Sequence, residues 1–169
     1  MDSKQEANIL TKGQYHCQIV RDGQVIDDWT EDNLVVNEGL NSMLNTMFNG
    51  SAQITTWYVG VFEGNYTPVA TVTAATIASS ATESTAYTSS TRPEYVEAAS
   101  TAQSTTNSAS RASFVFNASK TIYGAFLISS NVKSGTTGAL FSAARFGTSR
   151  SVVSGDELLV TYTVTASAV

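Results

Sequence analysis

Residues 157–166 read ELLVTYTVTA, and this stretch indicates the fold class more clearly than any other. Its side chains follow the two-residue period of a β-strand with one buried face. The residues expected on that buried face are Leu158, Val160, Tyr162 and Val164. Ser154-Gly155-Asp156 comes directly before the stretch and supplies the turn from which the strand begins.

Strand-like stretches recur along the chain. Those rich in β-branched and aromatic residues lie at 54–63, 112–116, 121–129 and 140–146. Residues 14–30 predict a β-hairpin, because Asp22-Gly23 favours a two-residue turn between two extended segments. Seven or eight short strands with turns between them predict a mainly β protein. The expected architecture is a single-domain antiparallel β-sandwich of jelly-roll type.

One short α-helix is predicted at residues 38–49. Its apolar residues fall at positions i, i+3, i+4 and i+7, and they are Leu40, Met43, Leu44 and Met47. Asn37 is the expected N-cap, and Asn49-Gly50 supplies a left-handed end to the helix. We expect the apolar stripe to be buried.

The chain has 169 residues, which suits one domain of ordinary size. We expect residues 1–12 to be an N-terminal arm and residues 13–169 to form the domain. Residues 64–110 are a long excursion rich in Ser, Thr and Ala, with little charge. Such a segment buries too little apolar area to offset the entropy of ordering it alone, so we expect other subunits to support it.

Charge is distributed unevenly along the sequence. Residues 1–40 hold eight acids and three bases, whereas residues 41–169 hold six of each sign. Within the second part, residues 98–155 carry five bases and no acid. Chance clustering on a solvated surface is one interpretation. The other is electrostatic complementarity with neighbouring copies or with a partner shell, which fixes orientation more than it adds affinity.

Composition excludes several functional classes. With 1 Cys and 1 His, the chain has no internal disulfide framework and no multi-histidine metal centre. His16 and Cys17 are adjacent and point to opposite faces of a strand, so they cannot act as a base and a nucleophile. A net charge of −5 argues against nucleic acid, and no apolar run approaches the ~20 residues of a membrane span. The N-terminus also lacks a signal-peptide pattern. We expect no enzyme and no cofactor.

Two binding functions stay open from the residues alone. Trp57 and Tyr58 are candidates for the aromatic platform of a carbohydrate-binding module, although core packing is the more common role of such residues in an apolar strand. The acids at 27–32 offer hard oxygen ligands for Ca²⁺, but DDWTED does not have the spacing of an EF-hand loop. A solvated acidic turn is therefore favoured there.

A series of short motifs follows in order over about residues 33–164. They are Val36-Asn37-Glu38-Gly39-Leu40-Asn41, Trp57-Tyr58-Val59-Gly60, Tyr66-Thr67-Pro68, Glu83 with Thr85-Ala86-Tyr87, Thr91-Arg92-Pro93, Ile122-Tyr123-Gly124-Ala125-Phe126-Leu127, Ser142-Ala143-Ala144-Arg145-Phe146 and Gly155-Asp156-Glu157-Leu158. In this order they resemble a family of small virion proteins of tailed bacteriophages. The first ~30 residues lie outside the resemblance.

The resemblance implies a non-enzymatic structural protein of the virion, of the head decoration or cement type. It implies that the chain is made in the bacterial host cytoplasm and sits on the outer capsid surface. The expected partners are the major capsid protein and further copies of the chain, most simply as a trimer, with neither nucleic acid nor membrane. A tail, collar or fibre-associated virion protein is the alternative. The expected interface residues are the acids Asp22, Asp27, Asp28, Glu31 and Asp32 and the bases Arg92, Arg111, Arg145 and Arg150.

Overall fold

The computed structural model describes residues 8–168. Of the arm predicted at 1–12, residues 1–7 lie outside this range, and Ile9 already belongs to the first strand. Within the range the elements are β1 (Ile9–Arg21), β2 (Gln24–Asp32), β3 (Leu34–Val35), α1 (Asn37–Phe48), β4 (Trp57–Phe62), α2 (Ala74–Ser80), β5 (Glu94–Tyr95), β6 (Ser104–Thr106), β7 (Ala112–Val115), β8 (Lys120–Ile128), β9 (Leu140–Val152) and β10 (Glu157–Ala168). Neither helix is long and apolar enough to cross a membrane.

The strands form two antiparallel sheets of five strands each. Sheet one has the order β2-β1-β10-β6, and β7 also pairs with β10. Sheet two has the order β3-β9-β8-β4-β5. The predicted mainly β class with an antiparallel β-sandwich is confirmed.

The main core lies between the two sheets. β1 contributes Tyr15, Cys17 and Ile19 from sheet one, and β4 contributes Val59 and Val61 from sheet two. The alternation in β10 is also confirmed, because its residues on the predicted face pack into this core. Period-two patterning therefore places the side chains of sheet one correctly.

A second core covers the outer face of sheet two. Phe62, Phe126 and Ile128 point to this face and pack against Val72 and Ile77 from the segment around α2. The end of β8 from Gly124 to Ile128 is thus buried on both faces of sheet two. A register shift between Ile122 and Gly124 turns Ile122 into the main core, on the same side as Leu127.

Two glycines in sheet two accommodate aromatic rings from the neighbouring strand. Gly60 pairs with Phe126, and Gly124 pairs with Phe62. A Cβ atom at either glycine would come within 2.1 Å of the partner ring. Each ring therefore takes the space that a side chain would fill, which explains why glycine interrupts both apolar strands.

The predicted hairpin at 14–30 is confirmed and is longer than expected. Arg21 pairs with Gln24, so Asp22 and Gly23 form a two-residue turn with φ values of 50° and 75°. This left-handed geometry is what Asp-Gly favours. β1 extends back to Ile9, where it pairs with the end of β10.

Helix α1 is found where it was predicted, but two details differ. Val36 occupies the N-cap position without a side-chain cap, so the prediction that Asn37 caps the helix is wrong. Gly39 is the buried residue of the helix, and a Cβ there would meet the Phe141 carbonyl oxygen at 2.4 Å. Because α1 contacts β9 through this small residue, its apolar stripe is not buried as expected.

The Ser/Thr/Ala-rich segment contains a second helix that the sequence pattern did not reveal. The Thr73 N–H donates to Thr76 Oγ1 at 3.2 Å at the start of α2. Val72, Ile77 and Ala81 are buried against sheet two. This part of the segment therefore obtains its support from the chain itself. Residues 96–103, by contrast, are exposed throughout.

Candidate interaction surfaces

The described residues bring no cluster of metal ligands together, and they keep His16 and Cys17 on opposite faces of one strand. No three His, Cys, Asp or Glu side chains among residues 8–168 come together as metal ligands. Cys17 is buried, and this burial raises the pKa of its thiol well above its ordinary value. His16 lies on the opposite, solvent-facing side of β1, where its Nε2 is 2.7 Å from Asp28 Oδ1.

The acidic residues of the hairpin are largely engaged within the chain. Asp28 accepts hydrogen bonds from Gln18 and His16, each at 2.7 Å, and these bonds lower the pKa of its carboxyl group. Glu31 Oε1 accepts the Gly147 N–H at 2.6 Å. A carboxylate that already accepts such bonds is expected to gain less binding free energy from a partner's cation, because hydrogen bonds within the chain have already replaced part of its hydration. Asp32 accepts a bond from Gln14 at 3.1 Å, and Asp22 is exposed in the turn.

Arg150 faces the acidic hairpin from β9. Its Nε lies 2.9 Å from Asp27 Oδ2, and its guanidinium carbon lies 4.6 Å from the centre of the Trp29 ring. Asp27 and Arg150, expected on opposite sides of a contact between molecules, thus face each other within one chain. Part of the predicted charge complementarity is intramolecular.

Arg92 has a structural role rather than a surface role. Its Nε and Nη2 donate to Glu83 Oε1 and Oε2 at 2.8 Å, and its Nη1 donates to the Ser130 carbonyl at 2.7 Å. Both charged side chains are fully buried. Arg92 is therefore removed from the expected cationic surface, because a guanidinium with its donors used inside the fold has none to offer a partner.

Two of the predicted cations remain exposed. Arg111 donates to Gln18 across the outer face of sheet one, and Arg145 Nε donates to Asn65 Oδ1 at 2.8 Å. Both bonds are made to neutral amides, so neither positive charge is neutralised by these contacts. Arg111 and Arg145 are the candidate contact cations that the structure leaves available.

The exposed side of helix α1 is the feature that sequence reasoning missed. Leu44, Met47 and Phe48 are 50%, 71% and 77% exposed. The sequence from residue 39 to residue 62 holds no Asp, Glu, Lys or Arg. Depletion of charge with enrichment in Met and aromatic residues is typical of the centre of a protein–protein interface. We call the exposed residues Leu44, Met47, Phe48 and Asn49 the α1 patch.

An apolar groove of about 380 Å³ lies beside the α1 patch. Met43 and Met47 form its helical wall, and Trp57 and Phe141 contribute aromatic rings from sheet two. These two rings meet edge to face, with centroids 5.8 Å apart. Among the lining residues Glu97 is the charged one. The groove is thus large enough and apolar enough to receive an apolar side chain.

The geometry does not favour a carbohydrate platform at Trp57 and Tyr58. The two residues are adjacent in β4, so their rings lie on opposite faces of sheet two. Trp57 packs at the main core, whereas Tyr58 packs at the second core. One sugar ring cannot stack on both.

Comparison of the sequence with protein-family models and with curated proteins finds no match. The described chain is an antiparallel β-sandwich that carries an uncharged apolar helix face beside an apolar groove. Exposed apolar surfaces of this kind are common at protein interaction sites.

Proposed function

We propose that the chain is a non-enzymatic structural protein of a tailed-bacteriophage virion, which binds the capsid shell and stabilises it as a decoration or cement protein. The observation that carries the proposal is the α1 patch with its groove, because an apolar surface of this kind serves contact between proteins. The ordered motifs over about residues 33–164 supply the class of protein.

Several residues of the motifs have structural roles in this fold, which supports the proposed class of protein. Glu83 and Arg92, from two separate motifs, form the buried ion pair. Glu38, from a third motif, accepts the N–H groups of Ala74 and Leu140, each at 2.7 Å. Gly60 belongs to a fourth and makes room for an aromatic ring. These residues stabilise the fold. Proteins that have the same residues in the same order are therefore expected to have the same fold.

The proposed mechanism is stabilisation by mass action. A protein that binds only the assembled shell lowers the free energy of that shell in proportion to its binding free energy. Modest contacts repeated over a symmetric lattice become strong collectively. The proposed partners are the major capsid protein, at the outer capsid surface, and other copies of the chain, as a trimer. Arg111 and Arg145 are the proposed cationic contacts with the shell.

Reconstitution tests this function directly. Virions that lack the chain are mixed with increasing amounts of purified protein, and the bound protein and the temperature of DNA release are measured. We expect saturable binding and a release temperature that rises as sites are filled. Heat-denatured chain serves as the control. Absence of binding at any protein concentration would overturn the proposal.

A further inference from the structure

Helix α1 ends at an asparagine that is followed by a glycine. Asn49 is the C-cap of the helix, and no other asparagine of the sequence precedes a glycine. The side-chain amide of asparagine is an electrophile, and the backbone nitrogen of the next residue can attack its Cγ to close a cyclic imide. A Cβ on that next residue crowds the attacking nitrogen. Glycine has no Cβ, so Gly50 removes this obstacle.

The attacking nitrogen is accessible in the structure. The N–H groups of Asn49 and Ser51 donate to the Asn45 carbonyl at 3.0 and 3.2 Å. The Gly50 N–H between them makes no backbone hydrogen bond to the described residues. Gly50 has a φ of 66°, and a Cβ atom there would meet no other atom within 4 Å. The space around the nucleophile is therefore open.

The backbone around Asn49 is able to rotate into the geometry of the imide. Asn49 has a ψ of 14°, so the next peptide unit has to turn before Gly50 N reaches the Asn49 Cγ. Residues 50–56 belong to no helix or strand, and residues 49–53 are exposed. The rotation therefore disrupts no strand pairing, and the backbone bond that it has to break is the 3.2 Å bond from Ser51.

Asn107 shows the opposite arrangement. Its side chain is fully buried, its Nδ2 donates to the Val160 carbonyl at 3.1 Å, and its Oδ1 accepts the Tyr162 N–H at 2.7 Å. An amide that is bonded through both atoms loses both hydrogen bonds if it turns towards the backbone. The fold thus holds Asn107 as an amide and leaves Asn49 able to react.

We propose that Asn49 is a site of spontaneous self-modification, at which the folded chain converts the asparagine amide into a carboxylate. Gly50 N loses its proton and bonds to the Asn49 Cγ, the Cγ–Nδ2 bond breaks, and the Nδ2 group leaves with that proton as ammonia. Water then opens the imide at either carbonyl and gives aspartate or isoaspartate. The reaction needs no oxidant and no other reactant. This inference goes beyond the proposed function and does not depend on it.

The product changes the charge of the α1 patch. Residues 39–62 have no charged side chain, and the new carboxylate adds one negative charge to a net charge of −5. The carboxylate lies at the C-terminal end of α1, whose last turn has no basic residue. The helix dipole opposes a negative charge at this end. We therefore expect faster hydrogen exchange at the amides of the last turn after the conversion.

Peptide mapping of the aged chain tests the proposal. The full chain is incubated at neutral pH, folded and in parallel unfolded in guanidinium chloride. It is then digested at acid pH and analysed by mass spectrometry. We expect Asn49 to convert in the folded chain at a rate within about 10-fold of its rate in the unfolded chain, because little restrains the closure of the imide. Asn107 is expected to remain an amide in the folded chain. A slower conversion of Asn49 in the folded chain would overturn the proposal.

Two variants identify the reacting groups. Asn49→Gln keeps an amide but lengthens the side chain, which disfavours the cyclic imide, and we expect the acidic product to be absent on ion-exchange chromatography. Gly50→Ala restores a Cβ beside the nucleophile and is expected to slow the conversion by about 10-fold. Asn117→Gln changes another exposed asparagine, which alanine follows, and serves as the control with the wild-type rate. Formation of the acidic product at the wild-type rate in Asn49→Gln or Gly50→Ala would contradict the assignment.

Discussion

Arg92 and Glu83 form a buried, bidentate ion pair, with both hydrogen bonds at 2.8 Å. The pair also forms hydrogen bonds with backbone groups of the segment after β8. Arg92 donates to the Ser130 carbonyl, and Glu83 accepts the Ser134 N–H at 2.8 Å. A pair of charges within the fold thus ties the Ser/Thr/Ala-rich excursion to sheet two.

Arg92→Ala is expected to lower the free energy of unfolding by about 3–5 kcal/mol, because it leaves the Glu83 carboxylate buried without its counter-charge. Urea denaturation followed by circular dichroism measures the loss. Arg145→Ala removes an exposed arginine and is the matched control, with an expected loss below about 1 kcal/mol. Equal losses in the two variants would contradict the structural role of Arg92.

The pair between Arg21 and Asp156 predicts a pH dependence of stability. Hydrogen bonds of 2.7 Å from Arg21 lower the pKa of the nearly buried Asp156 carboxyl group. A lowered folded-state pKa means that the contribution is present above the ordinary carboxyl pKa and is lost as the pH falls through the lowered value. Asp156→Asn is expected to be less stable than the wild-type chain by about 1–3 kcal/mol at pH 7.

That difference should narrow as the pH falls from about 5 towards 2, since the wild-type carboxyl group is then protonated as well. Unfolding free energies measured across this range test the sign. Asp22→Asn, in the exposed turn, is the matched control at pH 7 and is expected to change the free energy of unfolding by less than about 1 kcal/mol. A difference for Asp156→Asn that stays constant down to pH 2 would contradict the assignment.

Glu38 joins three elements through one carboxylate oxygen. Its Oε2 accepts the N–H of Ala74, the first residue of α2, and the N–H of Leu140, the first residue of β9. Glu38→Ala leaves both donors without this acceptor and is expected to lower the free energy of unfolding by about 2–4 kcal/mol. Glu38→Gln keeps an acceptor oxygen, so its loss of unfolding free energy should be smaller. Hydrogen exchange should speed up at the Ala74 and Leu140 amides, and unchanged exchange in Glu38→Ala would refute the bridge.

Shell binding should depend on the exposed cations. Arg111→Gln and Arg145→Gln are each expected to weaken binding to virions that lack the chain by up to about 5-fold, and to reduce its dependence on salt. Lys120→Gln is the control, because its Nζ already binds Glu63 at 3.0 Å. Affinity and salt dependence equal to those of the wild-type chain would remove both arginines from the contact.

A test of the acidic hairpin in shell binding requires a different choice of variants. Asp27, Asp28 and Glu31 have partners within the chain, so their replacement by amides changes the hairpin as well as the surface charge. Asp22→Asn and Asp32→Asn alter acids that are exposed. A drop in shell occupancy and in salt sensitivity is expected for this double variant. Occupancy and salt sensitivity equal to wild type would exclude Asp22 and Asp32 from the interface.

The parts of the fold that were predictable depend on local patterns. Alternation reports which side chains of β1 and β10 are buried, and Asp22-Gly23 reports a tight turn. Helix α2 carries no such signal, because Ala, Thr and Ser give no contrast between an apolar and a polar face. Its position depends on Ile77 and on sheet two, which are distant in the sequence.

The candidate site was less predictable, for a physical reason. A helical stripe such as that of α1 shows that one face is apolar, but not whether the chain or another molecule covers it. Similarly, nothing in the local sequence distinguishes Arg92 from the exposed arginines. It is buried because the fold places Glu83 and Ser130 within hydrogen-bonding distance of its guanidinium group. Long-range contacts decide both cases.

The copy number of this chain per purified virion, measured by quantitative mass spectrometry against the major capsid protein, distinguishes a shell protein from a tail protein. We predict hundreds of copies in simple proportion to the shell subunit, because a decoration protein occupies equivalent sites that repeat over the whole lattice. A dozen copies or fewer would place the chain in the tail or neck and contradict the shell role. Complete absence from the virion would contradict the proposed function as a whole.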